Sequence, residues 1–276
     1  MVSIPFSKYS GCGNDFVLID NRENSFIPEP NLIRNISERR RGIGADGVIL
    51  LENSELADFK MRIFNADGSE AEMCGNGVRC LMQFIQDLQL GFTRCTIETL
   101  GGKVVAHVGQ RTVKVEMPQP CDLKLNKILL IGQVQISYHF VNTGVPHAVV
   151  FVEEIEDPQW MKIAPHIRHH SVFAPSGTNV NFAQVRGTTL YLRTFERGVE
   201  GETLACGTGA TASALIAAQL SKLSAPIIVI PRSNDPLLVE FDPTFAKVAL
   251  SGPAKKNFEG KFIIDSSLHL SLRCPF

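Results

Sequence analysis

The tetrapeptide frame Cys-Gly-x-Gly occurs twice in the chain, as Cys74–Gly77 and as Cys206–Gly209. Apolar residues at helical spacing follow each copy, so each cysteine is expected where a loop enters a helix. The first turn of a helix offers N–H groups and a positive dipole end, which can hold a carboxylate and favour a thiolate. One thiolate could remove an α-proton while a second thiol returns a proton to the opposite face of that carbon. Either copy alone would be typical of a structural turn, so the pair is what indicates a site.

The two copies are the last match in an internal repeat of the chain. Four matches follow in the same order in both halves, with a spacing of 131 residues at the first match and 132 at the last. They are Gly13–Val17 with Gly144–Ala148, Arg62–Phe64 with Arg193–Phe195, Glu70 with Glu202, and Cys74 with Cys206. The repeat predicts two similar lobes facing each other across a ligand-binding cleft. Glu70 and Glu202 are interpreted as carboxylates that the dipole favours near the start of a helix.

Strands dominate the predicted secondary structure, on the basis of β-branched content and alternation. They are expected at Phe16–Asp20, Gly47–Leu51, Lys60–Phe64, Thr96–Leu100, Lys103–Val108, Thr112–Met117, Tyr138–Asn142, Ala148–Val152, Asn179–Val185, Thr189–Phe195, Ile227–Ile230 and Leu237–Phe241. Helices are predicted over Pro30–Arg41, with its terminal arginines complementing the dipole, and after each Cys-Gly-x-Gly. Pro118-Gln119-Pro120 is the predicted linker, which gives lobes at 1–118 and 119–264.

Composition argues against several classes of function. Acidic and basic residues nearly cancel, 28 against 27, so neither nucleic acid nor an anionic membrane is expected as a partner. No apolar run reaches the length of a membrane span and no signal-peptide pattern is present, so a cytoplasmic location is expected. The seven cysteines include no C-x-x-C, there is no phosphate-cradling P-loop, and no G-x-G-x-x-G opens a βαβ unit, so no cofactor is predicted. His166, His169 and His170 are interpreted as a solvated loop rather than a metal site.

Six motifs, in order along essentially the whole chain, resemble those of diaminopimelate epimerases. They stand as Gly11–Phe16, Gly42–Gly47, Phe64–Glu70, Met73–Gly77, Phe195–Gly198 and Ala205–Gly209. The resemblance implies an α+β fold of two pseudo-symmetric lobes, each a mostly antiparallel, β-barrel-like sheet around a central helix. A last strand near Leu268–Arg273, within 265–276, would return to the first lobe. It also implies interconversion of LL- and meso-diaminopimelate without pyridoxal phosphate, for lysine and peptidoglycan synthesis.

The resemblance also implies roles for individual residues. Cys74 and Cys206 would be the acid/base thiols, with His147 and Glu196 supporting their proton balance. The reacting carboxylate would be bound by Gly75, Asn76, Gly207 and Thr208. The remaining polar ends of the substrate would be held by Asn14, Asn65, Asn179, Glu196 and Arg197. No metal ligand is implied, and the sequence is compatible with a homodimer.

One departure from the family pattern affects substrate recognition. Where the family usually has Gly-Asn-Pro-His, this chain has Gly144-Val145-Pro146-His147. Valine cannot donate a hydrogen bond to the distal end of diaminopimelate, and an unpaired buried group there would cost about 1–3 kcal/mol. A broader racemase that also acts on glutamate is therefore one alternative. The others are a proline or hydroxyproline racemase and, from a different class, a binding protein switched by a disulfide between Cys74 and Cys206.

Overall fold

The computed structural model describes residues 2–264, and the strand expected near Leu268–Arg273 lies outside the described residues. The strands are β1 (Val2–Gly11), β2 (Asn14–Asp20), β3 (Gly47–Glu52), β4 (Phe59–Asn65), β5 (Glu70–Ala71), β6 (Arg94–Thr99), β7 (Gly102–Val108), β8 (Val113–Met117), β9 (Cys121–Ile131), β10 (Val134–Asn142), β11 (Pro146–Phe151), β12 (Asn179–Arg186), β13 (Thr189–Glu196), β14 (Gly201–Thr203), β15 (Ile227–Ile230), β16 (Leu237–Phe241), β17 (Val248–Gly252) and β18 (Lys255–Ile264). The helices are α1 (Pro30–Ser37), α2 (Gly75–Asp87), α3 (Gln159–Arg168) and α4 (Gly207–Gln219), with a 3₁₀ turn at Ser171–Phe173.

Among the described residues, the first of two compact units comprises 2–109 and 254–264. In its sheet β1 pairs antiparallel with both β18 and β2, and β2 runs parallel to β3. Strand β4 pairs antiparallel with β3 and β5 and parallel with β6, which carries β7. Helix α2 packs against β1, β2, β3, β4, β7 and β18. The sheet therefore surrounds a central helix.

The second unit, Gln110–Pro253, repeats this order of elements. Strand β10 pairs antiparallel with β9 and β11, β11 runs parallel to β12, and β12 pairs antiparallel with β13. Strand β13 pairs antiparallel with β14 and parallel with β15, and the sheet continues through the antiparallel strands β16, β17 and β8. Helix α4 packs against β10, β11, β12, β13, β15 and β16.

The predicted fold class is confirmed, because each unit is a mostly antiparallel sheet around one central helix. The sequence explains why α4 is central: it carries no charged residue, and all its residues from Gly209 to Ala217 are buried. Helix α2 is likewise buried from Asn76 to Met82. Apolar burial on all sides of a helix is possible only where strands cover it all round.

Several elements differ from the prediction. Strands β1, β5, β9, β14, β17 and β18 and helix α3 were not predicted. Strand β9 is exposed along most of its length, so it lacks the apolar alternation that marks a strand. Because α3 includes His166, the prediction of a loop there is wrong, although His166 and His169 are exposed as expected.

The first helix is shorter than predicted. It ends at Ser37, because Glu38 adopts an extended conformation and its carboxylate accepts the N–H groups of Arg40 and Arg41. The three arginines therefore do not form the end of a helix, and that prediction is wrong.

The boundaries of the units also differ in position from the predicted lobes. Strand β8 precedes Pro118 yet belongs to the second unit, since it pairs with β17. In the described part of the chain, no helix has both the length and the apolar character needed to cross a bilayer.

Candidate active site

Cys74 is the N-cap residue of α2, in an extended conformation with φ −141° and ψ 118°. The residue is partly buried, and a Cβ added to the adjacent Gly75 would meet no atom within 4 Å. The leading N–H groups of a helix have no acceptor inside the helix. The start of α2 therefore has the thiol, the open backbone and the N–H donors needed to receive a carboxylate.

Asn76 and Asn14, both predicted to bind substrate, are brought together in the first unit. Asn76 is buried, donates from Nδ2 to Oδ1 of Asn14 at 2.5 Å, and accepts at Oδ1 from the guanidinium of Arg79 at 2.7 Å. The same guanidinium nitrogen lies 3.3 Å from Sγ of Cys12, and Arg79 is fully buried. Because a guanidinium only donates, Arg79 fixes which way the Asn76 amide faces.

A cluster of charges supports the loop that carries Asn14. Asp46 accepts from Nδ2 of Asn14 at 3.2 Å and from Arg39 at 2.8 Å. Asp15 also binds Arg39, and Lys8 at 2.6 Å. Burial alone would raise the pKa of Asp15, but these two cations bring it down to about 2. Arg39 thus serves this cluster rather than a helix end.

Asn65 ends β4, is exposed, and donates to the hydroxyl of Ser69 at 3.0 Å. The two glutamates of the internal repeat, Glu70 and Glu202, pair with residues near the ends of β4 and β13. Glu70 makes a two-point ion pair with Arg62 at 2.7 and 2.8 Å, and Glu202 does the same with Arg193 at 2.6 and 2.9 Å. Both bind an arginine on the neighbouring strand, so their interpretation as dipole-favoured carboxylates is wrong.

Cys206 is the N-cap residue of α4, with φ −123° and ψ 111°, matching the position of Cys74 on α2. It is more buried, at 7% exposure, and its Sγ lies 3.3 Å from Oγ1 of Thr208. The carbonyl of Thr208 accepts from the hydroxyl of Thr143 at 3.0 Å, which anchors the first turn to the loop before β11. Gly207 and Thr208 are both partly accessible.

His147 is fully buried on β11 in the same unit. Its Nδ1 lies 3.0 Å from Nδ2 of Asn181, and Oδ1 of Asn181 accepts from the hydroxyl of Thr194 at 2.9 Å. Burial, and then the positive charge of Arg197, lower the pKa of His147 to about 3. The imidazole is therefore neutral at neutral pH, and it can support proton balance as a neutral hydrogen-bonding group rather than as a cation.

Asn179 links two loops of the second unit. Its Nδ2 donates to the carbonyl of Pro146 at 2.9 Å, and its Oδ1 accepts from the backbone N–H of Arg197 at 2.9 Å. No carboxylate in residues 2–264 pairs with the Arg197 guanidinium, so this side chain is available for an anion. Burial raises the pKa of Glu196, and the hydroxyl of Thr203 offsets part of that rise. Asn179, Glu196 and Arg197 are thus neighbours at the end of β13.

Sequence reasoning missed Asn181, Thr194 and Arg79. The pattern Asn179-Val180-Asn181 contained a signal for Asn181, since alternate residues of a strand share a face. For Arg79 the sequence gave none, because an arginine within a helix is ordinarily exposed. His169 pairs with Glu200 at 3.1 Å, and no cluster of three or more metal-ligating side chains occurs among the described residues.

The family model for diaminopimelate epimerase matches residues 6–121 and 139–256. A relative from Aquifex aeolicus, named diaminopimelate epimerase, is 42% identical over 270 residues, covering 93% of this chain and 96% of its own. One of the same name from Methanocella arvoryzae is 41% identical, covering 97% and 99%.

Two solved structures have a similar fold. A Bacillus anthracis phenazine biosynthesis protein of the PhzF family has a TM-score of 0.72 at 17% identity, covering 96% of this chain and 100% of its own. A hydroxyproline epimerase from Agrobacterium vitis has a TM-score of 0.68 at 15% identity, covering 96% and 94%. The two relatives are similar to this chain in sequence, whereas the two solved structures are similar to it only in fold. The chain therefore belongs to the diaminopimelate epimerase family of isomerases.

Proposed function

We propose that this protein interconverts LL- and meso-diaminopimelate by moving the α-proton between Cys74 and Cys206, without a cofactor. The observation that carries the proposal is the repeated half-site. In each unit a cysteine caps the N-terminus of the central helix and is followed by a glycine. Family membership supplies the substrate, since relatives covering almost the whole chain are named for it.

The chemistry needs one base and one acid. A thiolate at one helix N-terminus removes the α-proton, and a thiol at the other delivers a proton to the opposite face of the carbon. As the proton leaves, negative charge spreads onto the substrate carboxylate. The N–H groups of Gly75, Asn76, Gly207 and Thr208 are the donors proposed to stabilise this charge.

The residues at the end of β13 are proposed to bind the rest of the substrate. The planar, forked guanidinium of Arg197 suits a carboxylate, and no carboxylate of residues 2–264 competes for it. Glu196 would take up an ammonium group, and Asn14, Asn65 and Asn179 would add neutral hydrogen bonds. A small-molecule partner, a cytoplasmic location and a homodimer belong to the same proposal.

A second candidate, a racemase that also accepts glutamate, depends on Val145. Val145 is partly buried, and its carbonyl accepts from the N–H of Thr143 at 3.2 Å. Its side chain offers no hydrogen bond where the family usually has asparagine. Val145→Asn is expected to lower KM for diaminopimelate and to lower any activity on glutamate.

The test follows deuterium uptake at the α-carbon and stereochemistry with LL-diaminopimelate, D-glutamate and L-proline in parallel, in heavy water. Inversion of LL-diaminopimelate with uptake of one solvent deuterium is the expected result. Inversion of proline alone would refute the proposal in favour of a proline racemase. Absence of exchange from all three, with ligand affinity unchanged in Cys74→Ala, would favour the binding protein.

A further inference from the structure

The second unit contains a buried polar cluster that its counterpart in the first unit lacks. Strand register identifies the equivalent positions. His147 pairs with Asn179 and Asn181 with Thr194, whereas Phe16 pairs with Gly47 and Ile49 with Ile63. The polar residues His147, Asn181 and Thr194 of one unit thus correspond to the apolar residues Phe16, Ile49 and Ile63 of the other.

This cluster lies against the first turn of α4. A Cβ added to Gly209 would overlap Oδ1 of Asn181 and lie 3.4 Å from its Cγ. At the equivalent Gly77, an added Cβ would meet the methyl groups of Ile49 at 3.0 Å and Ile63 at 3.2 Å. The Asn181 amide therefore lies directly beside the residue three positions after Cys206.

The hydrogen bonds determine which nitrogen of His147 carries the proton. Nδ2 of Asn181 lies 3.1 Å from the carbonyl of Ala148, which can only accept. The Thr194 hydroxyl satisfies Oδ1 on the other side of the amide. Because the amide nitrogen only donates, Nδ1 of His147 must accept from it, and a neutral imidazole then has its proton on Nε2.

Nε2 of His147 is buried and has no hydrogen-bond partner among the described residues. A buried N–H without an acceptor costs about 1–3 kcal/mol, so we expect this N–H group of His147 to have a function. We propose that Asn181, itself oriented by Thr194, is a positioning residue that fixes His147 as a neutral Nε2–H donor available to an acid/base thiolate of the proposed reaction. This inference rests on the proposed function, and it assigns roles to Asn181 and Thr194 beyond that function.

The electrostatic surroundings of His147 favour the neutral form. Helix α4 has no ionisable side chain, and its N-cap residue is Cys206. Strand β12 has none facing His147, and β10 contributes only His139, which pairs with Val149. The end of β13 contributes Glu196, and Arg197 follows it; the charge of Arg197 disfavours protonation of His147. A neutral hydrogen-bond donor can stabilise a thiolate and still leave it able to take up a proton. A nearby cation would instead hold the cysteine as the thiolate.

Asn181→Asp is the sharpest test, because a carboxylate only accepts. It should draw the proton of His147 to Nδ1, remove the Nε2 donor and raise the pKa of the imidazole. Thr194→Val is the milder variant, since it removes only the group that orients the Asn181 amide. Ser213→Ala is the matched control, because it removes a buried hydroxyl of α4 that has no hydrogen-bond partner in the described chain.

The first readout is ¹⁵N NMR of histidine-labelled protein, with the His147 signal assigned by its loss in His147→Gln. We expect an Nε2–H tautomer in wild type and Ser213→Ala that does not titrate between pH 5 and 8, and an Nδ1–H or titrating imidazole in Asn181→Asp. An Nδ1–H tautomer or a charged His147 in the wild type would overturn the inference, whatever the substrate.

The second readout is epimerisation against pH. We expect kcat to fall at least tenfold in Asn181→Asp and less in Thr194→Val, with KM little changed and the acid limb of the profile shifted to higher pH. Wild-type kcat and an unshifted profile in Asn181→Asp would also overturn the inference. Failure of the wild type to epimerise diaminopimelate would refute the proposed function instead, and the NMR result would remain decisive for the tautomer.

Discussion

Gly209→Ala and Gly77→Ala place the same methyl group at equivalent positions of α4 and α2. Alanine is favoured over glycine inside a helix by up to about 1 kcal/mol, so both changes would stabilise the protein if nothing lay nearby. The surroundings differ, however, because Gly209 faces the amide of Asn181 and Gly77 faces the flexible methyl ends of Ile49 and Ile63.

The cost at Gly209 follows from the hydrogen bonds of Asn181. Its amide cannot move away from a new methyl group without weakening bonds to Thr194, His147 and Ala148 at 2.9, 3.0 and 3.1 Å. Weakening two of these three buried hydrogen bonds costs about 2 kcal/mol, and overpacking adds about 1–3 kcal/mol. After the gain in helix propensity, a net loss of about 2–4 kcal/mol is expected for Gly209→Ala. For Gly77→Ala the expected change is within about 1 kcal/mol, since side-chain methyl groups can yield by a few tenths of an ångström.

Urea unfolding followed by circular dichroism measures both changes, with epimerase activity assayed on the same samples. Gly209→Ala should lower the urea midpoint and reduce activity, whereas Gly77→Ala should keep a near-wild-type midpoint. Equal midpoints for the two variants, or a more stable Gly209→Ala, would refute the packing of the Asn181 amide against α4.

Three further outcomes are expected. Arg193→Met should destabilise the protein by about 1–3 kcal/mol and Arg62→Met by about 1 kcal/mol or less. The Arg193 side chain is only 9% exposed, against 27% for Arg62, and it also donates to the carbonyl of Ile155 at 3.1 Å. Equal urea midpoints for the two variants would contradict this. His147 has a folded pKa of about 3, below its unfolded value, so its contribution to stability is complete above about pH 6.5 and is lost as pH falls. The slope should approach about 1.4 kcal/mol per pH unit and should flatten in His147→Gln. Asp15→Asn should lower the free energy of unfolding by about 2 kcal/mol at pH 7 and leave it unchanged near pH 2. The reason is that the pKa of Asp15 is lowered in the folded protein, so the stability that its charge contributes is lost as pH falls from about 3.8 to about 2. A loss of stability independent of pH would refute the role of this charge.

Local pattern was enough to predict most strands, two similar lobes and the two cysteine positions, whereas the fold class came from the resemblance to a known family. Strands whose burial alternates, such as β4 and β6, also alternate in sequence, and the repeated Cys-Gly-x-Gly marks where α2 and α4 begin. Strand β9 escaped prediction because its exposed residues do not alternate, and its place depends on pairing with β10.

The interior of the candidate site was less predictable, because long-range contacts build it. Arg79 is buried only because Asn76 and Cys12 meet it across the first unit. Arg62 and Arg193 bind Glu70 and Glu202 through strand pairing, which the spacing along the chain does not reveal. The orientation of the Asn181 amide depends on Thr194 and Ala148 on different strands, so no local motif could have indicated it.

The most direct test of the central claim, that Cys74 and Cys206 act as two separate acid/base groups, follows the α-hydrogen itself. LL-diaminopimelate deuterated at the α-carbon is converted in ordinary water, and the first product formed is analysed by mass spectrometry, with Cys74→Ser and Cys206→Ser as parallel samples. Two thiols predict that the inverted carbon carries hydrogen from solvent with no transferred deuterium, and that each serine variant loses epimerisation. Deuterium retained in the inverted product, or near-wild-type epimerisation by either variant, would contradict the account.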